Sequence, residues 1–329
     1  MLNRILSGLI SVGVGLLTVG CGIIFPGQWL STLVLSPDVS CAEAAAELEL
    51  GELRETGDPS VIGLQFEAFE IASANGQPLR VWYVPAQLDG ALEPDPQGTI
   101  LIMHGTDGTL PCTLPWIAVA ANNRMHAVVL DYQGYGSSGG SADIATLLDD
   151  AEATLNWVIA DASPARAQVH LLGISLGSGP ALGLATLRDY PQIQSIALDS
   201  PFDPEWVLSA IESSVGLFFP LTGVSARLAF GWLFETRSRL AEVDVPVVVL
   251  HGTDDMTSPA VGAENIYAAL GTPTKAFWLF EDLDHVQALF LAQDDYVSLL
   301  VTFWRDPTQP PDPDAHLTDA TIQIPQLHP

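Results

Sequence analysis

Six short runs of apolar residues recur along the chain: "GTILIM" (98–103), "HAVVLD" (126–131), "VHLLGI" (169–174), "SIALDS" (195–200), "VPVVVLHG" (245–252) and "KAFWLF" (275–280). A strand with one wet face alternates apolar and polar residues. A strand covered on both faces does not. Between these runs lie stretches with helical spacing. In "TLLDDAEATLNWVIA" (146–160), Leu147, Leu148, Ala151, Leu155 and Val158 share one face. Residues Leu176 to Arg188, Pro259 to Leu270 and His285 to Trp304 also suit helices. Strands alternating with helices predict a mostly parallel sheet with helices on both faces, an α/β class. Residues Ile62 to Ile71 and Leu79 to Val84 read as two further strands, with Asn75-Gly76 as a hairpin turn between them.

One connection is too long for a simple crossover. From Ser200 to Val245 there are about 45 residues, where a crossover usually needs about 10 to 20. The segment includes "EWVLSAIESSVGLFFPLTGVSARLAFGWLFE". Its Trp, Phe and Leu content predicts one to three helices forming a small helical cap, at about residues 201–244. An ordinary long crossover with an extra core helix is the alternative.

The ends of the chain differ from its middle. Residues Ile5 to Phe25 carry no charge and follow Arg4, the pattern of an export signal or a membrane anchor within residues 1–25. "LLTVGC" ends at Cys21 and is similar to a bacterial lipoprotein signal, although Thr18 stands where such signals usually have Leu. Lipidation at Cys21, an uncleaved anchor and ordinary cleavage all remain open. Each places the body of the protein outside the cytoplasm, associated with the membrane in the first two cases. Residues 26–61 read as a linker with an N-terminal helix, "CAEAAAELELGELRE". Residues 62–304 form the main domain. The tail at 305–329 is rich in Pro and polar residues and is expected to be extended on the surface or disordered.

Charge narrows the partners. The chain has 39 acidic and 11 basic residues, a net charge of -28, with Lys275 its only lysine. Phosphate backbones are bound through Lys and Arg, so a nucleic-acid role is set aside. Such a surface suits high salt, or simply an acidic exported protein. The cysteines are Cys21, Cys41 and Cys112, and none has metal-ligand spacing. In an oxidising compartment Cys41 and Cys112 could bridge or remain two free thiols, and both readings stay open.

The chemistry concentrates at Gly173-Ile174-Ser175-Leu176-Gly177, a G-x-S-x-G placed between a strand and a helix. In that context the serine of a nucleophile elbow sits on a strained turn with its hydroxyl exposed to the site. A serine hydroxyl needs a base to take its proton, and in this fold the chain order is Ser, acid, His. His251 ends a strand and precedes any acid of the next loop. His316 and His328 lie in the tail. His285, in "EDLDHVQAL", follows the last apolar strand and is the expected base. For the acid, Asp254 and Asp255 compete. An oxyanion hole needs two backbone N–H groups, one from the residue after the nucleophile, Leu176, and one from the loop after the third strand, at Thr106. Asp107 is expected to turn its carboxylate away from that site.

The segments "ILIMHGTDG", "VVLDYQGYGSSGGS", "LLGISLGSG", "ALDSPF", "VVVLHGTDDMTSP" and "DLDHVQ" occur in the order seen in the α/β-hydrolase superfamily. They most resemble its BEM46-like serine hydrolases, over about residues 62–304. The D-Y-x-G-Y-G-x-S-x-G stretch at 131–140 is the most specific marker, and the resemblance places it in a loop near the site. Thr106 stands where that family often has Asn, and Ser178 where it often has Gly. The resemblance implies the α/β-hydrolase fold and an acid in an H-G-x-x-D segment with Pro four residues on. Asp255 and Pro259 fit that spacing, which leaves Asp254 as a turn residue. It thus implies a serine hydrolase with Ser175, Asp255 and His285 as triad, Thr106 and Leu176 as oxyanion donors, and no cofactor. The expected substrate is a small-molecule or lipid ester, as for a carboxylesterase or lipase. A peptidase or thioesterase of the same fold, or a catalytically silent binding protein, is the alternative. Two copies of H-G-T-D, at 104–107 and 251–254, also raise a metal site, but neither offers H-x-x-x-H or C-x-x-C spacing.

Overall fold

The computed structural model of the chain describes residues 31, 34–41, 43, 57–88, 90–161, 165–215, 230–312 and 323. The apolar segment at 1–25 and most of the helix expected at 41–55 lie outside the described residues. Among the described residues no helix is long and apolar enough to cross a membrane.

Eight strands form one sheet. They are β1 (Glu67–Ala72), β2 (Pro78–Val84), β3 (Gly98–Met103), β4 (Met125–Leu130), β5 (Val169–Ile174), β6 (Ile193–Asp199), β7 (Val247–Gly252) and β8 (Lys275–Phe280). Their spatial order is β1-β2-β4-β3-β5-β6-β7-β8. β1 and β2 pair antiparallel, as do β2 and β4, and the remaining pairs are parallel. The fold is therefore that of an α/β hydrolase. The apolar runs are continuous because successive residues enter two different cores. Leu101 and Met103 face one core, and Ile100 and Ile102 face the other.

The helices divide accordingly. α1 (Leu114–Ala121) and α8 (Gln293–Arg305) cover one face, together with the single turn α7 (Ala288–Leu291). α2 (Leu147–Ile159), α3 (Ser178–Thr186) and α6 (Ala260–Ala269) cover the other. The long insertion contributes α4 (Pro204–Val215) and α5 (Gly231–Ser238), and residues 216–229 between them lie outside the described residues. Trp232 donates its indole N–H to the Ile144 carbonyl at 2.8 Å, which fixes α5 beside the start of α2.

Three expectations change. Residues Ile62 to Phe66 do not extend β1. Asp58 instead caps a 3-10 turn at Pro59–Ile62, and Gly63 closes it in the left-handed region at φ 77°. The helix expected from His285 to Trp304 begins only at Ala288 and breaks at Ala292 (φ -125°, ψ 42°). Val286 takes φ 59°, which no helix tolerates, and so keeps His285 on a loop. Cys41 and Cys112 form a disulfide with Cα atoms 5.1 Å apart, so they are not two free thiols. The Asn75-Gly76 hairpin is present, with Gly76 at φ 83°.

Buried histidines give the fold a definite acid sensitivity. His170 on β5 is buried with Nδ1 2.8 Å from the Ser195 hydroxyl, and burial lowers its pKa from 6.5 to about 4. The folded chain keeps it neutral while the unfolded chain protonates it below pH 6.5. Its contribution to stability is therefore present above pH 6.5 and lost as pH falls toward 4. For His170→Gln, the deficit in unfolding free energy relative to wild type should shrink by about 2 kcal/mol between pH 7.5 and pH 5. Urea denaturation at the two pH values measures this, and an unchanged deficit would contradict the assignment.

Candidate active site

Ser175 lies between β5 and α3 at φ 51°, in the left-handed region that a non-glycine residue rarely occupies. Two neighbours make the turn possible. A Cβ on Gly173 would sit 2.7 Å from the Gly177 carbonyl oxygen, and one on Gly177 would fall on the Met103 carbonyl. Only glycine lets α3 start so close to β3 and β5. The serine side chain is thereby lifted clear of both elements.

His285 approaches that side chain from the loop after β8. Its Nε2 lies 2.9 Å from Ser175 Oγ, and its Nδ1 lies 2.7 Å from Asp255 Oδ2. The geometry assigns one tautomer, with Nδ1–H donated to Asp255 and Nε2 accepting from the serine hydroxyl. Asp255 is fixed in turn by the acid loop, where its Oδ1 accepts from the Thr257 and Ser258 amides at 2.9 and 2.7 Å. The structure thus brings the three sequence-predicted side chains into one hydrogen-bonded line, all buried. Asp254 does not join them. It is exposed in the turn, with its amide donated to the Leu283 carbonyl at 3.0 Å. His251 lies behind the acid, its Nε2 3.4 Å from Asp255 Oδ2, and burial lowers its pKa against the pull of that carboxylate.

Thr106 and Leu176 are both buried near the serine. The peptide that carries the Thr106 N–H is held by its other end. The Gly105 carbonyl accepts from His104 Nδ1 at 2.8 Å and from the Gly108 amide at 3.3 Å. In a trans peptide the N–H points opposite to the carbonyl, so these two bonds aim the Thr106 N–H. Burial brings the His104 pKa down to about 4, which keeps the ring neutral and Nδ1–H available to the carbonyl. The 131–140 loop supports this arrangement from below. Tyr132 and Tyr135 pack edge-on against His104 at 4.6 and 5.0 Å, and the Tyr135 hydroxyl donates to the Thr106 carbonyl at 3.0 Å. Burial first, and then the charge of Asp107, raise the Tyr135 pKa.

Two residues hold His285 in place: Asp284, which the sequence suggests is an exposed or helix-capping acid, and Ser200, to which the sequence gives no role. Asp284 Oδ1 accepts from both the Met256 amide (2.9 Å) and the His285 amide (2.7 Å), tying the acid loop to the base loop. Ser200, itself at φ 48°, accepts from the Val286 amide at 3.0 Å and lies 3.2 Å from Asp199 Oδ1. Asp199 Oδ2 takes the Tyr296 hydroxyl at 2.7 Å, and that hydroxyl takes the Trp116 indole N–H at 3.0 Å. Burial raises the Asp199 pKa despite these donors. In the sequence "ALDSPF" marks the end of an apolar strand and the family resemblance, and nothing more. Its one internal signal was a polar Asp-Ser pair ending an apolar strand.

A hydroxyl bound to an imidazole that is oriented by a carboxylate, beside aimed backbone N–H groups, is an arrangement for nucleophilic acyl transfer. Comparison with known proteins agrees with the fold. A family model described as "Serine aminopeptidase, S33" matches residues 94–238. The chain is 28% identical over 238 residues to the uncharacterized protein YfhR of Salmonella typhi, covering 68% of this chain and 75% of that one. It is 23% identical over 302 residues to protein bem46 of Schizosaccharomyces pombe, covering 88% and 93%. Among solved structures it is similar to the Pyrococcus furiosus esterase Pf2001, with TM-score 0.60, 15% identity, and 75% and 95% of the two chains covered.

Ser200→Ala removes the acceptor of the buried Val286 amide. It should cost about 1–3 kcal/mol of stability, the usual penalty for orphaning a buried donor. A shift in the urea midpoint without a change in m-value measures it. A midpoint equal to wild type would show that water or another group serves that amide.

Proposed function

The chain is a BEM46-like member of the α/β-hydrolase superfamily, and on that premise we propose that it is a serine esterase acting on carboxylic esters outside the cytoplasm. The observation that carries the reading is the line Asp255–His285–Ser175, with contacts of 2.7 and 2.9 Å. Ser175 Oγ attacks the ester carbonyl while His285 Nε2 takes its proton. Asp255 holds the ring and stabilises the imidazolium that forms. The Thr106 and Leu176 N–H groups receive the carbonyl oxygen as it gains charge. His285 then gives the proton to the departing alcohol oxygen, which leaves an acyl-Ser175 ester. Water, deprotonated by the same imidazole, releases the acid and restores the serine. These steps use side chains, backbone N–H groups and one water molecule.

The substrate side rests on composition. The insertion at about 201–244 is rich in Trp, Phe and Leu, and residues 5–25 are uncharged and apolar. Both favour an apolar acyl chain, a lipid ester reached at a membrane to which the N-terminal segment holds the protein. The net charge of -28 disfavours nucleic acid and anionic head groups. One observation favours a second reading. The matching family model carries the name of a serine aminopeptidase, so a peptide bond next to a free amino group is the alternative substrate.

A fluorophosphonate probe should label the wild-type protein and not Ser175→Ala. A folded wild-type chain that takes no label would remove the serine-hydrolase reading. Asp255→Asn should keep the fold and lower kcat by about 10³–10⁴, since the imidazole loses its orientation and its counter-charge. Within a p-nitrophenyl ester series, rates should rise from acetate to longer acyl chains. A preference for acetate would rule out the lipid ester. Faster turnover of an aminoacyl p-nitroanilide than of any ester would favour the aminopeptidase.

A further inference from the structure

We propose that residues 34–41 are a positioning strap for the oxyanion loop, locked by the Cys41–Cys112 disulfide, so that turnover at Ser175 depends on the oxidised protein. The inference rests on the esterase reading above and assigns a role to a segment outside the 94–238 region that the family model covers.

The strap precedes β1 in the chain yet lies on the loop that follows β3. The Ser36 amide donates to the Thr106 carbonyl at 3.2 Å. The Tyr135 hydroxyl donates to the same oxygen at 3.0 Å. Thr106 is therefore fixed from both sides. The carbonyl before it is held by His104 Nδ1 and the Gly108 amide, and its own carbonyl by Ser36 and Tyr135. The Thr106 N–H lies in the peptide plane of the Gly105 carbonyl, and the Thr106 carbonyl lies in the next plane, hinged to it at the Thr106 Cα. Losing the Ser36 donor leaves that second plane to Tyr135 alone and loosens the hinge.

Three further contacts show that the strap is built in. Val34 and Leu35 are buried in the same core as Tyr132, Tyr135 and Leu176. Ser31, just ahead of it, donates to Asp143 Oδ1 at 2.8 Å and accepts from the Ile144 amide at 3.2 Å. At the other end, Cys41 bonds to Cys112, 71 positions away, in the 3-10 turn Leu110–Thr113 that ends the oxyanion loop. The Thr109 hydroxyl touches both sulfurs, at 3.6 and 3.4 Å. The Leu110 amide, beside that turn, is held by Asp131 Oδ1 at 2.8 Å. The strap thus clamps the loop at Thr106 and again at Cys112. The covalent end is the one that a change of redox state can release.

A dithiol supplies the chemistry of release. It delivers two electrons and two protons, the Sγ–Sγ bond breaks, Cys41 and Cys112 become thiols, and the dithiol closes to its cyclic disulfide. The untethered strap then holds the Thr106 carbonyl through the Ser36 amide, anchored only on its N-terminal side by Ser31, Val34 and Leu35. The triad does not contain either cysteine and keeps its hydrogen bonds.

The test uses the full chain in detergent. The oxidised protein is first titrated with a fluorophosphonate, and kcat and KM are then measured on a p-nitrophenyl ester before and after dithiothreitol. Near-UV circular dichroism follows the fold. Reduction should lower kcat about tenfold, part of the 10²–10³ lost when an oxyanion donor is deleted, with KM held within about twofold and full recovery on reoxidation. The double variant Cys41→Ser, Cys112→Ser should sit at the low kcat and ignore dithiothreitol. Tyr135→Phe, which deletes the other donor to the Thr106 carbonyl, should lower kcat similarly in the oxidised protein with KM unchanged. A protein of which an aliquot takes the label, and whose unlabelled remainder turns over equally fast in both redox states, overturns this inference alone. So does a loss of kcat that tracks loss of the near-UV signal. An oxidised protein that takes no label overturns the esterase reading and this inference with it.

Discussion

The site depends on one strained residue. Ser175 occupies the left-handed region at φ 51°, and the chain tolerates this because the turn is trapped between β3, β5 and α3. The close approach of these elements is the reason for the glycines at 173 and 177. The same approach carries the serine to the edge of the sheet where the other loops meet it. Parallel strands end together, so the loops after β3, β5, β7 and β8 converge on one rim without any long-range design. A serine in ordinary helical or extended backbone would lie within the layer of α3 or β5, out of reach of His285.

Around that residue stand buried or half-buried polar groups that are each held by backbone donors. Asp255 takes two amides of its own turn, Asp284 takes one from the acid loop and one from the base loop, and Ser200 takes the amide of Val286. Val286 at φ 59° and Ser200 at φ 48° are also left-handed. Left-handed backbone thus occurs at Ser175, next to His285 and at the residue that holds the amide after His285. Such conformations persist only where surrounding contacts over-determine them. Burial works in the same direction on His104, whose pKa near 4 leaves it a neutral donor to a carbonyl. A charged ring there would be fully desolvated, with only the Gly105 carbonyl to offset the cost.

What could be read from the sequence follows from the range of the interaction that fixes each part. The sheet was legible because two-sided burial writes itself into consecutive residues such as "GTILIM" and "VHLLGI". Ser175 was legible because its strand, turn and helix are adjacent in the chain. α1 was not, since "LPWIAVAA" is buried on every side and carries no period to distinguish helix from strand. The delayed start of the last helix depends on Val286, whose left-handed backbone is imposed by Ser200, 86 positions away. Ser36 and Cys112 are recognisable only once β3 has placed the oxyanion loop under the segment that precedes the sheet. Local pattern therefore disclosed Ser175, the family resemblance was needed to choose Asp255 over Asp254, and the residues that aim these side chains stayed hidden.

The two H-G-T-D turns show the same division. Both end parallel strands, β3 and β7, at the site rim, and a Cβ on Gly252 would fall on the Leu283 carbonyl just as one on Gly105 would press on Ser175. Their histidines are both buried and both have lowered pKa values. The uses of the turns differ because the neighbouring strands differ. Beside β3 stands β5, which carries Ser175, so under the proposed function the first turn would act through the Thr106 N–H, and its histidine braces the preceding carbonyl. Beside β7 stands β8, whose following loop carries the imidazole, so the second turn acts through the Asp255 side chain. One strand-ending turn can serve as backbone donor or as carboxylate platform, and its position in the sheet decides which.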